Sequence, residues 1–229
     1  MPAIRARNQA FKVVVLILLS VVASSALAAT SDDPSAQIKR ARGGGGLRVG
    51  TWQVVGLDEP GAPSSTQTVA AEGWYQKGFD VHIALESTLG FWQRTQTVNE
   101  TGSIPGSSTD RKIQTYLVPT MSTLKLYPAT HPGSPLEPYL AAGVGVVFGM
   151  DHEDVSTTDP AVIPGTANTF HTGLGIQTGA GIEWNTPSAF GLTVGGRYQW
   201  ASFAEAVGGK ALYRGPAYFG GVTYRFQYQ

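Results

Sequence analysis

From Leu47 to Phe226 the hydrophobic positions recur every second residue rather than every third or fourth. The chain falls into segments of about 10–15 residues separated by turn-rich stretches. Between positions 169 and 184, Phe170, Leu174, Ile176, Ala180, Ile182 and Trp184 share one face. The other face carries His171, Gly173, Gly175, Gln177, Gly179, Gly181 and Glu183. Segment 189–202 sets Phe190, Leu192, Val194, Tyr198 and Trp200 against Gly191, Thr193, Gly195, Arg197, Gln199 and Ala201. Segment 79–92 sets Phe79, Val81, Ile83, Leu85, Leu89 and Phe91 against Asp80, His82, Glu86 and Thr88. The last segment sets Tyr218, Val222, Tyr224 and Phe226 against Phe219, Thr223 and Arg225.

The bulky apolar face ends in aromatics, while glycine and charge share the opposite face. That division suits a narrow lumen inside and lipid outside, with the aromatics at the two interfaces. Lipid admits only helices and closed barrels, because each backbone group must be paired internally. With no helical period available, the pattern predicts a closed barrel. Strands are expected near 47–57, 66–75, 78–93, 113–127, 137–149, 169–184, 189–202 and 214–226, with the second the weakest. The connectors alternate in length. Segments 94–111, 150–168 and 203–213 are long and polar, whereas 128–136 and 185–188 between them are shorter; 57–61 joins the first two strands. Short periplasmic turns and longer, mobile outer loops account for that alternation. The expected fold is therefore all-β: an eight-stranded antiparallel transmembrane up-and-down barrel over 46–226.

Ahead of the barrel, Arg5, Arg7 and Lys12 precede an apolar run from Val13 to Val22, and Ser24-Ser25-Ala26-Leu27-Ala28 follows. This reads as a signal peptide over 1–28, cleaved after Ala28. The run is too short to span a bilayer as a helix. Residues 29–45, with the basic cluster Lys39–Arg42, read as a flexible periplasmic leader, and 227–229 as a tail. Of the 229 residues, 29 are Gly and none is Cys, and 16 basic residues balance 16 acidic ones. Loss of the signal removes three basic residues and leaves the mature chain mildly acidic. This composition excludes disulfide scaffolds, thiol catalysis and a basic nucleic-acid binder.

Alternation aims Asp80, His82, Glu86, Lys125, Glu183 and Arg197 into the lumen, with His171 able to join through Gln177 and Glu183. Eight strands enclose an interior that side chains fill, so these charges are expected to pair with one another rather than bear an unpaired desolvation cost. Catalysis has little support. Ser134 lacks the strand–elbow–helix setting of a hydrolase nucleophile, and "RYQWASF" (197–203) has no histidine for a lipid A deacylase site. Asp151, Glu153 and Asp154, with His152 between them, are the best candidates for a Ca²⁺ or Mg²⁺ contact. A solvated charged loop is the favoured reading of them, and no metal or cofactor is expected. Gly43–Gly46 has no helix after it and is no phosphate loop.

The stretches "STLKLYP" (122–128), "LEPYLAAGVGVVFG" (136–149), "GAGIEWNTPSAFGLTVGGRYQW" (179–200) and "AYFGGVTYRF" (217–226) resemble the small eight-stranded outer-membrane barrels. The nearest types are the transmembrane domain of outer membrane protein A and the OmpW-type proteins. The resemblance covers roughly 46–226. It implies an outer-membrane location, contact with lipid and lipopolysaccharide, insertion by the barrel-assembly machinery, and a monomer. It also implies a lumen plugged by a Glu/Lys/Glu/Arg network. Lys125 and Glu183 match that network by position, and Arg197 is offset by two residues. The peptidoglycan-binding domain of the outer membrane protein A family is not expected after the barrel. The terminal aromatic assembly signal falls on Phe226 or Tyr228, in phase with Tyr224. The expected role is a non-enzymatic structural or surface-interaction barrel. The alternatives are a channel for small hydrophobic or ionic solutes and, third, a lipid A-modifying enzyme.

Overall fold

The computed structural model describes residues 43–55, 67–79, 82–101, 107–128, 134–159, 161–186 and 189–226. Eight strands form in chain order: β1 (Gly44–Gln53), β2 (Gln67–Gly78), β3 (Ile83–Thr101), β4 (Ser108–Leu126), β5 (Leu136–Thr157), β6 (Gly165–Asn185), β7 (Phe190–Val207) and β8 (Lys210–Arg225). Each pairs antiparallel with its sequence neighbours, and β1 pairs with β8, so the sheet closes into a barrel. The seam runs from Gly44↔Arg225 to Trp52↔Ala217. Closure leaves no edge along this length, which is how a barrel satisfies its backbone without water.

The alternation sets which residues face outward. On β6, Phe170, Leu174, Ile176, Ile182 and Trp184 are exposed on the outer wall, and Gln177 and Glu183 are buried inside. Val144 and Val146 on β5 and Val194 and Val222 on β7 and β8 extend the apolar outer face. Aromatic pairs band it at two levels. Tyr75–Phe226 and Phe190–Tyr224 lie near the end at which β1 begins and β8 finishes, with ring centroids 5.9 and 5.3 Å apart. Phe91–Tyr116 and Phe148–Phe170, each at 6.1 Å, lie toward the far end.

Three expectations change. Gly44 and Gly45 belong to β1 and not to a flexible leader. The polar segments 94–111, 150–168 and 203–213 are largely paired strand and not loops. Their ladders run on to Thr101↔Ser108, Val155↔Gly165 and Val207↔Lys210. The reason is composition. Thr and Val favour extended backbone, yet water on both faces removes the apolar alternation that marks a strand. A spanning strand needs only about 9–11 residues, so β3–β8, at 16 to 22 residues, run well past one span. The third change is that the β7–β8 connection is a two-residue turn, Gly208-Gly209, with φ of 53° and 78°. Both residues occupy the left-handed region that glycine enters without steric cost, as such hairpins require.

Candidate functional site: the lumen

Six charged side chains from six strands form one chain of contacts across the interior. Arg197 on β7 reaches over the lumen to Glu72 on β2, with Nη1 3.1 Å from Oε1 and Nη2 on Oε2. Glu72 sits opposite Arg48 in the β1–β2 register, and Arg48 Nε lies 2.7 Å from Glu72 Oε1. That contact is an ion pair without hydrogen-bond alignment. Arg48 Nη2 donates to Glu86 Oε1 at 2.5 Å. Lys125 Nζ lies 2.7 Å from Glu86 Oε2 and donates to Glu183 Oε1 at 2.7 Å. The order Arg197–Glu72–Arg48–Glu86–Lys125–Glu183 alternates in sign, and its three cations match its three anions. Arg48, Glu86 and Lys125 are each at most 2% exposed.

Aromatic and amide groups complete this layer. The Tyr127 hydroxyl lies 3.2 Å from Glu183 Oε1 and accepts from Gln76 Nε2 at 2.9 Å. Lys125 stands 4.3 Å above the Tyr139 ring, and Arg48 and Arg197 lie 4.9 and 5.1 Å from the Phe219 ring. The quadrupole of each ring attracts the cation on its face, and the rings keep water from the ion pairs. Toward the far end Gln177 Nε2 donates to Thr123 Oγ1 at 2.5 Å. Beyond it lies a second, apolar layer: Trp52, Trp92, Leu117, Val147, Phe203, Val207 and Tyr213 pack into one buried cluster. Trp92 meets Trp52 and Tyr213 edge-on at 5.4 and 5.8 Å.

Of the lumenal residues expected from the sequence, the structure brings Glu86, Lys125, Glu183 and Arg197 into this chain. His82 does not join: it precedes β3 at a bend and is exposed, and its carbonyl accepts from the Tyr127 amide. Inward phase counts only once the strand has begun. His171 does not join either. It lies far along β6, opposite Gly149, and its Nδ1 is 3.2 Å from Glu205 Oε2 rather than near Gln177 or Glu183. Asp80 lies outside the described residues, as does Tyr228.

Arg48 and Glu72 were missed, although Arg48 stands between Leu47 and Val49 in the alternating β1 pattern. Placing Glu72 needed the face assignment of the weak β2 pattern. Asp151, Glu153 and Asp154 do not converge on a cation. Strand alternation turns Asp154 to the face opposite Asp151 and Glu153, and Glu153 instead lies 3.4 Å from Arg111. Ser134 donates to the Leu136 carbonyl at 2.9 Å, so its hydroxyl is engaged with backbone. The aromatic end of β8 leads into Phe226, whose amide donates to the Gly43 carbonyl at 3.1 Å and whose ring meets Tyr75 and Tyr224.

A closed eight-stranded barrel with an apolar outer wall, two aromatic bands and a charged interior defines a class, the small barrels that cross lipid. Residues 14–226 match the family model of the outer membrane protein beta-barrel domain, and the chain belongs to that family. The protein is thus an outer-membrane protein. The β2–β3, β4–β5 and β6–β7 connections are periplasmic, and the hairpins β3–β4, β5–β6 and β7–β8 face outward. Among solved structures, the chain is similar to Ail, the attachment invasion locus protein of Yersinia pestis. Identity is 14% with a TM-score of 0.47, covering 81% of this chain and 99% of that one. It is also similar to Neisserial surface protein A, at 15% identity and a TM-score of 0.46, covering 81% and 97%. No curated protein sequence matches the chain.

Proposed function

We propose that the protein is a non-conducting barrel with a charge-plugged lumen, and that its role is structural and surface-interactive. The alternating ion-pair chain carries this reading. It links six strands through the interior, and the aromatic cluster fills the lumen beyond it. A conduit for ions would need a continuous polar, hydrated path, whereas here one layer is neutralised by pairing and the next is filled by packed aromatic and aliphatic side chains around the buried Arg94. Strands longer than one span instead place polar hairpins outside the membrane. Every residue from Gly165 to Phe170 on β6 is exposed, which offers a two-sided surface to a partner. Insertion is by the barrel-assembly machinery as a monomer, and the outer rim meets lipopolysaccharide.

The test trims the β3–β4 and β5–β6 hairpins to the aromatic band and leaves the barrel intact. Cells carrying the trimmed protein are expected to lose attachment to protein-coated surfaces while uptake of small apolar solutes stays at the parental level. Unchanged attachment with lost uptake would favour the solute-channel reading. That alternative has one observation behind it, a shallow apolar groove in the outer wall lined by Leu136, Ile182, Trp184, Leu192 and Val194.

A further inference from the structure

The β7–β8 hairpin departs from the outer hairpins β3–β4 and β5–β6. Its tip does not project but turns inward across the mouth of the barrel. Gly208 comes so close to Thr115, on the opposite wall in β4, that a Cβ at Gly208 would lie 2.1 Å from the threonine hydroxyl. The β7–β8 ladder is irregular between Ser202 and Val207, which lets the strand bend there. Val207 is fully buried at the tip, and Phe203 is nearly so. Two inward glycines make the seat for them. A Cβ at Gly149 would meet Val207 at 2.8 Å, and one at Gly173 would meet Phe203 at 2.7 Å.

We propose that this hairpin is a lid over the outer mouth, latched by the Asp151 carboxylate. Asp151 Oδ2 accepts from the Gly208 backbone amide at 2.5 Å and from the Thr169 hydroxyl at 3.3 Å. Asp151 sits on β5, so the first of these bonds ties the tip of one hairpin to a strand that is not its ladder neighbour. A second tie is internal to the hairpin, where the Tyr213 hydroxyl donates to the Val207 carbonyl. Tyr213 also packs on Trp92 and Phe203, so the lid continues the aromatic cluster below it. Closed, the lid buries that cluster and leaves β3–β4 and β5–β6 as the projecting surface. Released, it uncovers an aromatic floor beneath the outer face. A backbone turn whose tie to β5 is one charge-assisted hydrogen bond opens more readily than the ladders beside it.

The chain has no cysteine, so single-cysteine labelling of the folded protein in lipid vesicles reads the lid directly. Val207→Cys reports from beneath the lid. Glu205→Cys reports from outside it, since the Glu205 side chain is 78% exposed. With a bulky hydrophilic maleimide, Val207→Cys is expected to react far more slowly than Glu205→Cys. Adding Asp151→Ala is expected to speed labelling at Val207→Cys about tenfold or more, the factor that loss of a charged hydrogen bond supports. It should leave labelling at Glu205→Cys unchanged. Gly149→Val keeps the latch but fills the seat, and it is expected to give the same acceleration. A heat-dependent gel shift identifies variants that have folded. Equal rates at the two reporter sites in the parent background, or protection of Val207→Cys that survives both changes, would overturn the latch.

Discussion

Arg48 and Lys125 are the cations on which the interior turns, because each holds two carboxylates, while Arg197 at the end of the chain pairs with Glu72. Removing one partner of a buried ion pair strands the other and typically costs about 3–5 kcal/mol. Arg48→Ala is therefore expected to lower barrel stability by about that amount or more, and by more than Arg197→Ala. Urea unfolding in lipid vesicles followed by Trp fluorescence measures both. Lys125 and Glu183, whose charged atoms lie 2.7 Å apart, are expected to couple in a double-mutant cycle. Lys125→Ala with Glu183→Ala should cost less than the two single changes added together. Strict additivity would show that the two do not pair. The inward phase of Glu86, Lys125, Glu183 and Arg197 was legible because each stands within a strongly alternating strand. The pairing of Arg197 with Glu72 was not, since it depends on where strands far apart in sequence are brought by closure. His82 and His171 show the same limit. Parity along a strand tells which face a residue takes but not its height in the barrel.

Among the elements, the seam between β1 and β8 tolerates little. A Cβ at Gly50 would lie 2.0 Å from the Tyr218 carbonyl oxygen, and one at Gly46 would lie 2.1 Å from that of Val222. Gly50→Val is thus expected to impede closure and abolish the heat-dependent gel shift. A parental shift would show that the seam yields. The last strand bears on assembly. Phe226 closes the outward series Tyr218, Val222, Tyr224 and is anchored by Tyr75 and by the Gly43 carbonyl. Phe226→Ala is expected to slow insertion into the membrane more than Tyr228→Ala, measured as the rate at which the heat-shifted form appears. Equal rates for both variants and the parent would remove both aromatics as the signal. The eight strands and their order could be read from the period of two and the alternating connector lengths. The outer hairpins could not, because a strand wetted on both faces, such as Gly165–Phe170, has no apolar stripe to announce it.

At the scale of the whole molecule, the barrel has two interiors stacked along one axis. The periplasmic half is an ion-pair network and the outer half is mainly aromatic, with Arg94 buried within it, and each is closed by a different kind of interaction. Ion pairs fix strands to one another through charge, and the cluster around Trp92 and Tyr213 fills the remaining width by shape. The apolar wall outside and the hairpins above it follow from the same alternating chain, run past the thickness of the bilayer. The central claim is that this interior conducts nothing, and planar-bilayer recording on the purified, signal-free protein tests it most directly. Under an applied voltage the parent is expected to give no unitary steps above the bare bilayer. Regular, reproducible ohmic steps from the folded parent protein would contradict a plugged lumen and restore the channel reading.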